Sequence, residues 1–278
     1  MASGTVDSPA GTAPTPPPAQ GAGRAQIGAR TLRTDNWRKA PILTVVLLLG
    51  WLTYSVVRVF MQKWYWVDEY HYLTPFYSPC FSTECTDEAA MFGRFLPGWP
   101  ILPYAALSLT VLGLFRLTCY YYRRAYYRSF WGSPPACAVP DMHKRYHGES
   151  RFPGILQNTH RYFFYFALLL SAVNTIDAVL AFHSPSGFGI GLGTLILVGN
   201  VILLWAYTIS CHSCRHIIGG RLRHFSKHPL RYRAWGWVSW LNKWHMELAW
   251  TTLATLLLTD LYVMAVSADW ISDLRLVG

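Results

Sequence analysis

The chain has 278 residues, of which 52% are hydrophobic, 16% aromatic and only 14% charged, and its formal net charge is +10. A composition this apolar excludes an ordinary soluble domain. The basic residues alternate in blocks with apolar runs, as expected for a protein that faces anionic lipid, so we do not interpret the charge as nucleic-acid binding.

The first segment, 1–35, is rich in Ala, Gly, Pro and Thr and contains the run Pro16 to Pro18. It has too little apolar surface to fold alone, so we predict a disordered cytoplasmic tail. No basic segment followed by an apolar run opens the chain, and we expect no cleaved signal peptide. Residues 36–278 are predicted to form one membrane domain.

Five apolar runs follow, and each has the roughly 20 residues that a helix needs to cross a bilayer. They cover 41–61, 100–121, 161–182, 188–210 and 246–266. The predicted fold is an all-α integral membrane protein, a bundle of five transmembrane helices.

The basic residues indicate the orientation of this bundle. Five Lys and Arg precede the first run, six lie in 122–160 and seven in 213–243, whereas 63–99, 183–187 and 267–278 together hold three. By the positive-inside rule, the N-terminus and the loops 122–160 and 213–243 are cytoplasmic, and the loop 63–99 and the C-terminus are outside.

The six cysteines divide between the two sides. Cys80 and Cys85 lie in the outer loop, where oxidation is permitted, and a disulfide between them is plausible. The other four are expected at the cytoplasmic end, where thiols stay reduced and serve as small apolar residues or as ligands. These four are Cys119, Cys137, Cys211 and Cys214.

A candidate metal site lies where the fourth run ends, in the segment Cys211-His212-Ser213-Cys214-Arg215-His216. His160 directly precedes the third run and His245 directly precedes the fifth. Antiparallel helices therefore bring both imidazoles to the same depth. The loop residue Cys137 can fold back beneath the helices. The candidate ligands are Cys137, Cys211, Cys214, His160, His245 and His216.

Thiols and imidazoles select zinc, copper or iron–sulfur clusters over hard cations. A structural zinc of Cys₂His₂ type and a [2Fe–2S] cluster with two Cys and two His both fit this inventory. The C-x-x-C-H motif of covalent haem is not met, because Arg215 intervenes. The alternative is that these residues are packing cysteines and snorkelling histidines.

The chain resembles the single-chain membrane anchor of actinobacterial, mycobacterial-type succinate dehydrogenase in four segments. These are SPPACAV at 133–139, LQNTHRY at 156–162, CHSCRHIIGGRL at 211–222 and HM at 245–246. The resemblance extends from about residue 36 to the fifth run and leaves out the tail.

This resemblance implies a subunit of respiratory complex II in the bacterial plasma membrane. A partner flavoprotein would oxidise succinate in the tricarboxylic acid cycle, and a partner iron–sulfur protein, docked on the basic loops, would relay electrons. The anchor would pass them to a membrane quinone such as menaquinone, through a Rieske-type [2Fe–2S] cluster in place of the haem b of other anchors.

The family motif reads C-H-S-x-R-H, which ranks the ligands. The favoured set is Cys137, Cys211, His160 and His245, with Cys214 and His216 as alternates. For the quinone, the candidates are polar groups within the apolar runs, because such groups are costly in lipid unless they bond each other or serve a function. They are Asp177, Asn174, Asn200, Asp260 and Arg116.

Two other functions share some of these features. A quinone-coupled membrane thiol oxidase would use Cys211 and Cys214 with the pair Cys80 and Cys85, although the charge count places the first pair on the reducing side. A redox-inert scaffold would hold a structural zinc instead.

Overall fold

The computed structural model describes residues 33–98, 102–133, 136, 139, 152 and 154–278. Nearly all of the predicted tail and the candidate ligand Cys137 therefore lie outside the described residues.

Eight α-helices and six short strands are found in the described residues. The helices are α1 (Lys39–Met61), α2 (Ala105–Leu117), α3 (Tyr120–Phe130), α4 (His160–Leu180), α5 (Leu192–Ile209), α6 (His212–Gly219), α7 (Pro229–Asn242) and α8 (His245–Ser267). The strands are β1 (Trp66–Val67), β2 (Tyr72–Leu73), β3 (His183–Ser184), β4 (Gly187–Phe188), β5 (Ile190–Gly191) and β6 (Arg275–Val277). They pair antiparallel as β1 with β2, β3 with β4 and β5 with β6.

Four helices among the described residues are long and apolar enough to cross a membrane, which confirms a multi-pass helical membrane protein. They are Lys39–Met61, Ile155–Leu180, Leu192–Ile209 and His245–Ser267. They agree with four of the five predicted spans. The predicted topology, with the N-terminus cytoplasmic and the C-terminus outside, stays a prediction.

The predicted second span differs from the observed helix. α2 has 13 residues and at 1.5 Å per residue extends about 20 Å, whereas a bilayer core is about 30 Å thick. It ends because Cys119 has an extended backbone, with φ −68° and ψ 133°, and a new helix begins at Tyr120. The helix of the second apolar run therefore ends at Leu117, and a corner at Cys119 separates it from the more polar α3.

The segments predicted as loops 122–160 and 213–243 contain helices. α3 continues from the second apolar run and carries several tyrosines and arginines. α6 and α7 pack against each other, and Pro229 starts α7 at a position where its missing N–H costs nothing. These helices are too short and too polar to give a spanning hydropathy signal.

The bundle is built around α5, which packs between α4 and α8. α2 packs on α4, and α1 lies at the side against α2 and α3. Most apolar side chains of α1 are exposed in the isolated chain, as expected for a helix whose remaining surface faces lipid or another subunit.

One end of the bundle, which we call the disulfide end, is closed by 63–98 and by the three small sheets. Cys80 and Cys85 form a disulfide there. Ser78 donates to Asp177 of α4, and Ser108 of α2 donates to the Ser78 carbonyl at 2.9 Å. The outer loop is therefore bonded into the helices beneath it.

The C-terminal segment is fixed at the same end through one carboxylate. Asp273 accepts hydrogen bonds from Tyr72 at 2.9 Å, from Tyr262 at 2.6 Å and from the Gly193 N–H at 2.9 Å. A Cβ at Gly193 would lie 2.3 Å from the Tyr72 ring. Only glycine allows α5 to begin this close to the outer loop.

A buried ion pair attaches α1 to α8. The Arg58 guanidinium donates to both carboxylate oxygens of Asp260, at 2.6 and 3.0 Å, and the two side chains are 1% and 0% exposed. Tyr54 and Thr74 also donate to Asp260. Because little else of α1 is buried, this pair is the main polar link that holds it.

We predict that Asp260→Asn lowers the free energy of unfolding by about 3 kcal/mol, because it leaves the Arg58 charge buried without a partner. The double variant Arg58→Met/Asp260→Leu should recover much of that loss, since it removes both charges. Thermal unfolding of the purified protein in detergent measures the difference, with the exposed Asp269→Asn as control. Equal destabilisation in the single and double variants would contradict the prediction.

Candidate metal centre

Four chain segments meet at the opposite end of the bundle, which we call the Cys/His end. They are the corner after α2 with Cys119, the first residue of α4, His160, the junction of α5 and α6 at Cys211, and the first residue of α8, His245. Each of these side chains lies at a helix terminus. The helix ends therefore place these four side chains at a common depth in the bundle.

The first imidazole is held between a hydroxyl and a thiol. His160 Nε2 lies 3.1 Å from Cys211 Sγ, and His160 Nδ1 lies 2.9 Å from Thr118 Oγ1. The Phe115 ring stacks on the imidazole, with centroids 4.8 Å apart and an interplanar angle of 4°.

The second imidazole repeats this arrangement with different residues. His245 Nε2 lies 3.8 Å from Cys119 Sγ, and His245 Nδ1 lies 2.6 Å from Ser210 Oγ. The Tyr207 ring stacks on it at 5.0 Å. His245 is buried at 1% exposure.

The hydroxyl groups favour one tautomer of each ring. Thr118 is placed to donate its hydroxyl hydrogen to the Leu114 carbonyl at 2.7 Å, and Ser210 to the Tyr207 carbonyl at 2.7 Å. Each hydroxyl oxygen is then free to accept from Nδ1–H of its histidine. This tautomer leaves the lone pair on Nε2, and both Nε2 atoms lie against sulfur.

The surroundings of these four side chains are dry and aromatic. Phe115, Phe164, Tyr207 and Leu253 are buried in one cluster with Cys119 and Cys211. Burial raises the pKa of the Cys211 thiol to about 12. Without a metal this thiol stays protonated, so a metal that binds it has to displace the proton.

The donor geometry differs from that of a closed site for one ion. Among the residues that the structure describes, no three His, Cys, Asp or Glu side chains are arranged to hold a single metal ion. The arrangement is instead two separate Cys/His pairs, from different helices. Two thiols and two imidazoles are the donor set of a two-iron cluster with two ligands on each iron.

The structure brings together three of the six predicted metal ligands, Cys211, His160 and His245. Cys214 is half-buried at the edge of the same cluster. His216 does not face the cluster but lines an open cleft of 410 Å³ between α6 and α7, with Arg215 and Trp235. Cys137 lies outside the described residues.

Cys119 was not among the predicted ligands, although it contacts His245. The sequence left it open whether Cys119 is a small apolar residue or a ligand. The sequence did contain a signal. Cys119 lies near the end of the second apolar run, and that end is predicted to be on the same side of the membrane as the starts of the third and fifth runs, where His160 and His245 lie.

The five predicted quinone residues have different partners. Asn174 donates to the Leu170 carbonyl at 2.9 Å, Asp177 accepts from Ser78, and Asp260 pairs with Arg58. Arg116 donates to neutral groups of α3 and α8. Only Asn200 is buried with both amide atoms unpaired among the described residues.

Comparison with known proteins places this chain among membrane subunits. Residues 39–269 match the family described as actinobacterial succinate dehydrogenase subunit SdhC. A chain of the solved Mycobacterium smegmatis Sdh1 complex in the apo form is 61% identical, with a TM-score of 0.87, over 92% of this chain and 98% of that chain. The search of curated proteins gave no match.

We predict that Thr118→Val and Ser210→Ala each weaken metal binding at this centre about 10- to 100-fold, because the ring that loses its hydroxyl is no longer oriented. Thr118→Ser keeps the hydroxyl and should retain the metal. Iron and zinc per chain, measured after a timed challenge with a chelator, test this. Equal retention in all three variants would show that the hydroxyls do not orient the ligands.

Proposed function

The chain belongs to the family of actinobacterial succinate dehydrogenase membrane anchors, subunit SdhC, and from this premise we propose that it passes electrons to a membrane quinone through a Rieske-type [2Fe–2S] cluster. As a multi-pass subunit of the plasma membrane, it works with other subunits of that complex. We propose that these are a flavoprotein that oxidises succinate and an iron–sulfur protein that contacts this chain.

The observation that carries the proposal is a pair of histidines whose Nε2 atoms each lie against a buried thiol. His160 faces Cys211 in this way, and His245 faces Cys119. We propose these four residues as the cluster ligands. Cys119 thereby takes the place given to Cys137 from the family motif, and Cys214 remains an alternate. When bound, such a cluster takes up and releases single electrons.

The other candidate functions are less well supported by the same geometry. A Cys₂His₂ zinc site needs four donors around one ion, whereas the donors here form two pairs. A thiol oxidase needs electrons to travel between Cys80–Cys85 and Cys211, which lie at opposite ends of the bundle. The proposed cofactor therefore stays the iron–sulfur cluster, ahead of zinc and of haem b.

For the quinone we propose a site between α4, α5 and α8. Asn200 of α5 supports it, because its unpaired amide offers both a donor and an acceptor in an apolar setting. The carboxylates of Asp177 and Asp260 already hold the outer loop and α1, which favours a structural role for them. Asn174 bonds its own helix, as serine and threonine often do in membranes.

The cluster is tested by changing both imidazoles. His160→Ala/His245→Ala should lose the iron of the anchor and its contribution to the visible spectrum, because one iron of the cluster would lose both protein ligands. Succinate oxidation with an artificial acceptor should survive while quinone reduction falls to background.

The matched control for that experiment is His216→Ala/His224→Ala, which removes two exposed imidazoles near the Cys/His end of the bundle. It should keep both iron and quinone reduction. Quinone reduction that persists in His160→Ala/His245→Ala would show that the ligand assignment is wrong.

The docking of the iron–sulfur subunit is tested at the basic surface beyond α6. Residues 213–243 hold seven Lys and Arg and no acid, so Arg221→Glu/Arg223→Glu should release the soluble subunits at moderate salt. Arg231 is left unchanged, because it donates to the Ile218 and Gly220 carbonyls at the end of α6.

Copurification of the soluble subunits with a tagged anchor measures that release. Lys63→Glu/Arg94→Glu reverses two exposed cations at the disulfide end and should leave the complex intact. If both variants keep a full complex, docking does not depend on this basic surface.

A further inference from the structure

Arg116 is a buried cation with only neutral partners. Its side chain is 5% exposed. Nη1 donates to the Tyr122 hydroxyl at 2.6 Å and to the Ala249 carbonyl at 3.1 Å, and Nη2 donates to the Thr252 hydroxyl at 3.2 Å. All three acceptors are neutral, so these contacts leave the charge of Arg116 without a partner of opposite sign.

Elsewhere the same chain neutralises a buried arginine in the ordinary way. Arg58 lies against Asp260 at the other end of α8. The other buried carboxylate of the helices, Asp177, bonds Ser78 of the outer loop. In the part of the chain that the structure describes, no carboxylate contacts Arg116. A charge in a low-dielectric interior is costly without a partner of opposite sign.

The guanidinium lies beside the proposed metal centre. Its carbon is 4.9 Å from the centroid of the Tyr207 ring, and that ring stacks on His245 at 5.0 Å. Arg116 is also near the end of α2, three residues before Cys119, which follows that helix. The uncompensated charge therefore borders the Cys119/His245 pair, near the junction of α2 and α8.

We infer that Arg116 is the counter-charge of the proposed cluster and raises its reduction potential. Two ferric ions, two sulfides and two thiolates sum to zero with neutral imidazoles, and one added electron makes the centre −1. A fixed positive charge nearby stabilises that reduced form relative to the oxidised one. The electron arrives from the iron–sulfur subunit and leaves to the quinone. This inference rests on the proposed function.

The test is a redox titration of the whole complex, followed by the electron paramagnetic resonance signal of the reduced cluster. In Arg116→Gln the ratio of reduced to oxidised cluster at fixed potential should fall about tenfold, which for one electron is about 59 mV. Arg116→Lys retains the charge and should stay within about threefold of the wild type, because the interaction is chiefly electrostatic. Arg116→Met also removes the charge and should show the same fall in the ratio as Arg116→Gln. It replaces Arg116→Gln if the glutamine variant does not assemble.

The control removes a solvated cation near another ligand. Arg161 follows His160 directly but is exposed, so Arg161→Gln should leave the ratio unchanged, since water screens its charge. An unchanged or higher ratio in Arg116→Gln, or an equal fall in Arg161→Gln, overturns the inference alone. A wild-type complex whose iron content does not exceed that of its soluble subunits overturns the proposed function and this inference with it.

Discussion

Polar groups buried between these helices have to be satisfied within the protein, because lipid offers them no hydrogen bonds. Three carboxylates show how the chain meets this constraint. Asp260 gathers donors from α1 and the outer loop, Asp177 binds the same loop, and Asp273 fixes the C-terminal segment to the start of α5. The disulfide end is therefore held by directional bonds between segments that are distant in sequence.

The same constraint orients the side chains at the Cys/His end. Thr118 and Ser210 are placed to donate to carbonyls of their own helices, and the same hydroxyls contact Nδ1 of the two imidazoles. The imidazoles in turn face Cys211 and Cys119. The positions of these four side chains are thus set by helix termini and backbone carbonyls. This explains why residues from four separate segments form one site.

Much of the architecture followed from hydropathy, and the rest depended on single residues. Runs of about 20 apolar residues located α1, α4, α5 and α8, and equal depth placed His160 and His245 near Cys211. Hydropathy averages over a window, so it could not find the corner at Cys119, which divides α2 from α3. For the same reason the contact of Cys119 with His245 was not predicted. The short surface helices α6 and α7 gave no signal, because their polar residues cancel their apolar ones.

The Arg58–Asp260 pair has a consequence for biosynthesis. Its partners are 202 residues apart, and at ribosomal rates of about 5–20 residues per second Asp260 is made roughly 10–40 s after Arg58. During that interval the guanidinium of the first helix lacks its final partner Asp260, and its long side chain can snorkel to the membrane surface. The position of the first helix in the bilayer is therefore settled only after the last helix has been inserted.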